Sequence, residues 1–155
     1  MKEDADLPTS LAAAEKEIDQ DWVFVQPGLF DYPLTNGEAP VLLASCCRHC
    51  GANYFPKRAF CPHCVKGDME DFTLSRRGII YASTVVYINS TVGIKAPYTF
   101  GYVDIPGNKV RVFALFTGDD PSSFLPGSKV ELVLGPVSKN DAGKNVIGYM
   151  FKLVL

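Results

Sequence analysis

The chain has 155 residues, 47% of them hydrophobic, and a formal net charge of −2 at pH 7. This length predicts one domain, or two small ones that share a core. The near-neutral charge argues against a strongly basic nucleic-acid-binding protein, and no hydrophobic run approaches the roughly 20 residues of a membrane span. The acidic N-terminus has no apolar stretch typical of a secretory signal, so we expect a cytoplasmic protein.

Residues 1–40 are predicted to form an N-terminal helix followed by an aromatic arm. Thr9 or Ser10 can cap a helix that ends at about Gln20. Residues 22–33 then combine aromatic side chains with prolines and a glycine, which is incompatible with a central strand. This arm either covers the protein's own core or anchors a partner subunit. The aromatic residues that would anchor a partner are Trp22, Phe24, Phe30 and Tyr32.

Two Cys-x2-Cys pairs, separated by ten residues, predict a metal site. Each pair can direct two thiolates at one ion, and two pairs complete a tetrahedron of sulfur. The predicted ligands are Cys47, Cys50, Cys61 and Cys64. Disulfides would need an oxidising compartment, which nothing in the sequence indicates, and a redox Cys-x-x-Cys would need only one pair. We expect structural zinc, with iron in the same four-sulfur cage as the alternative.

The neighbours of the four cysteines are predicted to lie outside the metal's ligand set. Four thiolates fill a tetrahedral shell, so His49 and His63 are expected to face solvent or to lie behind the ligands. Cys46 is expected to be a small buried residue. Short strands at Val41–Ser45 and Met69–Leu74 lead into and out of the motif. The predicted zinc ribbon therefore covers residues 41–75.

Residues 76–155 are predicted to form a five-stranded OB-fold barrel. Five segments are rich in β-branched and aromatic residues and are separated by turn signals. The predicted strands are Ile79–Ile88, Tyr98–Ile105, Val110–Phe116, Lys129–Leu134 and Val146–Val154. Residues 119–127 can form one helical turn between the third and fourth strands, which is the OB-fold order. The pattern alone also suits another five-stranded barrel, and the whole chain is predicted to be mainly β.

The order of a ribbon and a barrel resembles a known family, the rubredoxin-like zinc-ribbon and OB-fold proteins associated with acyl-CoA enzymes. The resemblance runs from about Leu42 to the C-terminus. It depends on the motifs Cys47-x2-Cys50-Gly51, Phe55-Pro56-Lys57-Arg58, Cys61-Pro62-x-Cys64, Gly78, Ser83-Thr84-Val85-Val86, Pro97-Tyr98 and Pro126-Gly127. It implies an accessory subunit of a thiolase-superfamily enzyme, in which the small protein helps to shape or cover the acyl-CoA channel.

No catalysis is expected from this chain alone. Thiolase chemistry needs a thiolate activated by a base, and the sequence places no base beside Cys46. Residues 87–98 join the first two barrel strands in a long apolar loop that is suited to enter a partner's channel. The candidate contacts to coenzyme A or to the partner are Lys95, Pro97, Tyr98, Arg76 and Arg77. For the three cations among them, ordinary solvated side chains are the favoured interpretation, and contact with coenzyme A is the alternative.

Two other classes of function remain open from the sequence. Zinc ribbons and OB-folds both occur in proteins that bind single-stranded nucleic acid, although this chain lacks the basic stripe that such binding requires. An iron-loaded site would instead indicate electron transfer. Failure to bind single-stranded DNA at low salt would exclude the first class, and a colourless, zinc-containing protein would exclude the second.

Overall fold

The computed structural model describes residues 22–26, 28–31 and 39–155. The predicted helix over residues 9–20 lies outside them, as does Tyr32. The described chain contains ten strands. They are β1 (Trp22–Phe24), β2 (Phe30–Asp31), β3 (Val41–Cys47), β4 (Asn53–Tyr54), β5 (Met69–Thr73), β6 (Arg77–Val86), β7 (Tyr98–Ile105), β8 (Val110–Phe116), β9 (Lys129–Lys139) and β10 (Asn145–Leu153). Two 3₁₀ turns lie at Pro106–Asn108 and Pro121–Ser123. The prediction of a mainly β chain is confirmed.

Strands β6 to β10 close into a barrel. The strand order is β10-β8-β7-β6-β9, and β9 pairs with β10 to complete the circle. Every pairing is antiparallel except that of β8 with β10, which is parallel. The 3₁₀ turn Pro121–Ser123 lies between β8 and β9, where the sequence predicts a helical turn. Closure leaves few unpaired strand edges, because each of the five strands has partners on both sides.

Alternating side chains fill the interior of the barrel. In β7, buried residues include Val103 and Ile105, and in β8 they include Val112 and Ala114, while the residues between them face outward. This two-residue period is what a strand with one buried face requires. Phe151 of β10 is fully buried in the same cluster. Every second residue of β7 and β8 therefore contributes to the interior of the barrel.

Several strands begin or end at other residues than predicted, and β6 and β9 show this most clearly. β6 begins at Arg77, two residues earlier than predicted, because Arg77–Ile79 pair with Lys129–Glu131 of β9. β9 continues to Lys139 rather than ending at Leu134. Pro136 is tolerated there because β9 and β10 shift register at this point, so the proline lies at a bulge.

The metal ribbon and the barrel share one core. Leu42 and Ala44 of β3 and Leu74 after β5 belong to the same buried cluster as the barrel residues. Asn108, in the turn between β7 and β8, also links the two parts. Its Oδ1 accepts from the N–H of Ser75 at 2.8 Å, and its carbonyl accepts from the Asn53 side chain at 2.7 Å.

The described part of the N-terminal arm lies on the protein's own sheets. β1 pairs in parallel with Asn145–Ile147 at the start of β10, and β2 pairs with β3. Leu29 is buried, and Phe30 packs against the core cluster. These contacts favour the interpretation of the arm as a strap over this protein's own core, and β1 is an edge strand rather than a central one. None of the described residues belongs to a helix long and apolar enough to cross a membrane.

Candidate metal centre

The four predicted ligands lie in two similar turns. Cys47 ends β3, and the N–H of Gly51 donates to its carbonyl at 2.8 Å. In the second turn, the N–H of Val65 donates to the carbonyl of Cys61 at the same distance. Both donor residues have a positive φ, 75° for Gly51 and 59° for Val65. A left-handed conformation is ordinary for glycine and uncommon for valine, so the second turn holds its backbone in a less favourable conformation.

The four sulfurs converge on one point. All four Sγ atoms lie within 4.8 Å of one another, and the Cys47–Cys64 and Cys50–Cys61 pairs are each 3.5 Å apart. A zinc–sulfur bond of about 2.3 Å in a regular tetrahedron places sulfurs about 3.8 Å apart. All five cysteines are free, so no disulfide competes for these positions. The donor set and its spacing fit a tetrahedral divalent ion.

Backbone N–H groups surround the sulfurs unequally. The N–H groups of Cys50 and His49 face Cys47, and the former is the main cause of a lowered Cys47 pKa. Cys61 faces the hydroxyl of Tyr54 as well as the N–H groups of Cys64 and His63, and its pKa falls to about 6, with the Tyr54 hydrogen bond as the largest cause. Hydrogen-bond donors that stabilise the thiolate also favour metal binding, because the thiolate is the form of cysteine that binds a metal ion.

The other two sulfurs have fewer donors. The N–H of Ala52 lowers the pKa of Cys50, but removal from water and the neighbouring cysteines together raise that pKa to about 12. For Cys64, removal from water is the largest cause of a raised pKa, against one N–H from Lys66. The positive charge of a divalent ion would favour the thiolate form of both residues and so oppose the effect of their removal from water.

The histidines and the fifth cysteine lie around the sulfur cluster rather than inside it. His49 and His63 are exposed, and neither belongs to the group of four converging ligands. Cys46 is half-buried rather than buried as predicted, and it lies near the end of β3 between Asn53 of β4 and Glu70 of β5. Its thiol donates a weak hydrogen bond to the Cys47 carbonyl at 3.7 Å.

The predicted coenzyme A contacts do not form one site. Lys95 and Pro97 are exposed in the loop after β6, and Tyr98 is half-buried at the start of β7. Arg77 begins β6, at the opposite end of that strand. Arg76 is held by Glu131 at 3.4 Å and by the carbonyl of Leu132 at 3.2 Å, so its guanidinium is engaged within the protein.

The loop between β6 and β7 presents apolar side chains on an ordered backbone. Tyr87 and Ile88 are 77% and 76% exposed. Hydrogen bonds inside the loop join the N–H of Ser90 to the carbonyl of Ile94 and the N–H of Ala96 to the side chain of Asn89, both at 2.9 Å. Large exposed hydrophobic residues on a fixed loop are typical of a contact surface.

Comparison with protein families identifies two domains in the chain. Residues 37–70 match the rubredoxin-like zinc ribbon domain of ChsH2, and residues 73–135 match the C-terminal OB-fold domain of ChsH2. The chain belongs to this family of proteins with a zinc ribbon and an OB-fold.

Three curated relatives are similar to the chain over about two thirds of its length or more. The chain is 40% identical to the benzoylsuccinyl-CoA thiolase subunit BbsA of Thauera aromatica, over 86% of this chain and 90% of the relative. It is 36% identical to BbsA of Geobacter metallireducens, over 90% and 92% of the two chains. A DUF35 domain-containing scaffold protein of Methanocaldococcus jannaschii is 31% identical over 68% and 77%.

A solved structure supports the same fold. The Ltp2-ChsH2(DUF35) aldolase matches with a TM-score of 0.60 and 20% identity, over 74% of this chain and 86% of that chain. At this identity the likeness concerns the fold alone. The resemblance based on the cysteine and barrel motifs is confirmed by these comparisons.

Proposed function

We propose that this chain is a non-catalytic accessory subunit of a thiolase-superfamily acyl-CoA enzyme. The observation that carries the proposal is the 40% identity to a named benzoylsuccinyl-CoA thiolase subunit, which extends over 90% of that relative. Chain length and the N-terminal arm also resemble the small subunit of 2-benzoylsuccinyl-CoA thiolase. The finer proposal is therefore thiolysis of 2-benzoylsuccinyl-CoA during anaerobic degradation of toluene, in the cytoplasm.

The surface proposed to meet the catalytic subunit is the apolar loop between β6 and β7. Its exposed Tyr87 and Ile88 offer hydrophobic area, and Lys95 offers a cation toward the phosphates of coenzyme A. The aromatic arm is the second candidate surface. In this arrangement the small subunit covers the acyl-CoA channel of its partner, and acyl-CoA lies at or near the shared interface.

The role proposed for the metal is structural. Cys47, Cys50, Cys61 and Cys64 would hold one zinc ion, and the ion would fix the two turns of the ribbon. Structural zinc contributes roughly 10–16 kcal/mol of apparent binding free energy in small zinc modules. The Cys50→Ser variant should no longer contain one zinc ion per chain when it is measured by elemental analysis. The matched control, Cys46→Ser, should keep its zinc content unchanged.

Reconstitution with the catalytic subunit tests the accessory role. The two chains, expressed together, should co-purify as a stoichiometric complex that cleaves 2-benzoylsuccinyl-CoA, while this chain alone should give no turnover. A double substitution of Tyr87 and Ile88 by serine should weaken the complex, and Tyr102→Ser, on the outer barrel face, is the control. Separate elution of the unmodified chains would contradict the proposal.

One feature favours a second candidate, a module that binds single-stranded nucleic acid. The outer face of β7 and β8 carries neighbouring rings, with Phe113 5.3 Å from Phe100 and 5.5 Å from Tyr102 between centroids. OB-folds bind oligonucleotides on this face by stacking. However, the nearby Arg111 is neutralised by Asp104 at 2.6 Å. Binding of oligo-dT at low salt, abolished by Phe113→Ser, would support this candidate over the first.

A further inference from the structure

Within the described residues, a side chain other than cysteine also makes a hydrogen bond to the sulfur cluster. The hydroxyl oxygen of Tyr54 lies 3.4 Å from Sγ of Cys61, within the range for a hydrogen bond to sulfur. Either atom can be the donor when the thiol carries a proton. Metal binding requires the thiolate, which has no proton to give, so in the loaded protein the tyrosine must donate.

The fold holds Tyr54 in this position. Tyr54 lies in β4, and its register partner Ser45 is fully buried in β3. The hydroxyl of Ser45 accepts from the backbone N–H of Arg58 at 2.9 Å, and the Arg58 guanidinium lies 5.7 Å from the centre of the Tyr54 ring. The ring is therefore held by its strand on β3 and covered on one face by the Arg58 guanidinium.

We propose that Tyr54 is a positioning residue for the metal centre, whose hydroxyl orients the Cys61 thiolate and stabilises its metal-bound form. Cys61 is one of the two buried ligands, so little water is available to solvate its negative charge. A hydroxyl donor partly replaces that solvation. The inference depends on the metal-binding part of the proposed function and does not require the partner subunit.

The Tyr54 hydroxyl differs from the Tyr149 hydroxyl in the atom that it contacts. Tyr149 is the matched control, because its hydroxyl also donates one hydrogen bond, to the carbonyl of Phe113 at 2.8 Å. Both residues lose one hydroxyl on substitution by phenylalanine and keep the ring. Only Tyr54 contacts a sulfur, so a difference between the two variants reports the metal contact rather than ordinary stability.

The experiment compares the full-length protein with Tyr54→Phe and Tyr149→Phe. Zinc transfer to a chromogenic chelator should be about 10-fold faster or more in Tyr54→Phe, since loss of a partner behind a metal ligand typically costs 10–100-fold. In cobalt-loaded protein, the sulfur-to-cobalt charge-transfer band should move to longer wavelength, because a thiolate without this donor gives up charge more easily. Tyr149→Phe should change neither quantity.

Three results would overturn the proposal. The first is a Tyr54→Phe variant with a zinc-release rate within twofold of the unmodified protein and an unshifted cobalt band. The second is an equal effect of Tyr149→Phe, which would make the change a matter of general stability. The third is failure of the unmodified protein to load zinc or cobalt, and this result alone would also remove the metal from the proposed function.

Discussion

Replacement of Gly101 by alanine should destabilise the barrel strongly, because a Cβ at this position would meet the backbone of the neighbouring strand. Gly101 is buried in β7 and pairs with Ser83 of β6 on one side and Ala114 of β8 on the other. A Cβ at this position would lie 2.0 Å from the carbonyl oxygen of Ala82 and 2.8 Å from Cα of Ser83. Both neighbours are backbone, so no side chain can rotate away.

The size of the effect follows from this geometry. β6 must move from β7 by about 1 Å before the new Cβ reaches a tolerable distance, and each strand is fixed on its other side by the closed barrel. Overpacking of a core typically costs about 1–3 kcal/mol, and a backbone clash belongs at the upper end of that range. For a chain of this size, about 3 kcal/mol corresponds to a fall in Tm of roughly 6–12 °C.

Thermal unfolding of the metal-loaded protein, followed by far-ultraviolet circular dichroism, measures this loss. The control is Gly107→Ala, because nothing lies within 4 Å of a Cβ built at Gly107. That variant should melt within about 2 °C of the unmodified protein. The reasoning would be refuted by a fall of less than 3 °C for Gly101→Ala, or by an equal fall for the control.

Three further predictions concern the ribbon, its link to the barrel and an exposed carboxylate. Chelation should release residues 44–70 before the barrel, as faster hydrogen exchange in that segment; unchanged proteolysis of it would contradict the metal's role. Asn108→Ala removes the acceptor of the Ser75 N–H and should cost about 1 kcal/mol in urea unfolding; an unchanged midpoint would exclude the link. The hydrogen bonds from Ser122 lower the pKa of Asp120 in the folded protein. The ionised carboxylate therefore stabilises the fold fully above the pKa of about 3.9 that Asp has in the unfolded chain, and this contribution is lost as pH falls through the lower pKa of the folded protein. The stability difference between Asp120→Ala and the unmodified protein should therefore shrink at low pH, and a constant difference from pH 7 to pH 2 would disprove the coupling.

Local signals in the sequence predict much of the barrel. The bounds of β7 and β8 match the prediction, because both segments are rich in β-branched and aromatic residues and the Pro106-Gly107-Asn108 turn between them depends on residues next to one another. The cysteine spacing likewise predicts the convergence of the four sulfurs, since each turn is a local structure.

Features that depend on pairing between segments far apart in the sequence could not be predicted from local patterns. The extension of β9 past Pro136 requires the bulge opposite β10, which no local pattern reveals. Tyr54 approaches Cys61 only because β4 folds back against Ser45 of β3, so spacing along the chain does not distinguish it from other tyrosines. A guanidinium such as that of Arg76 is a common phosphate ligand, but Glu131 and the carbonyl of Leu132 in β9 accept from it within the protein.

Asn108 has a consequence for protein engineering. Its carbonyl accepts from the side chain of Asn53, inside the ribbon, and its side chain accepts from the N–H of Ser75, at the end of the ribbon. A chimaera that transplants a foreign ribbon onto this barrel must reproduce the side-chain donor at position 53, whereas any residue except proline supplies the backbone N–H at position 75. Exchange of the ribbon together with the tip of the β7–β8 hairpin keeps both donors with their acceptors.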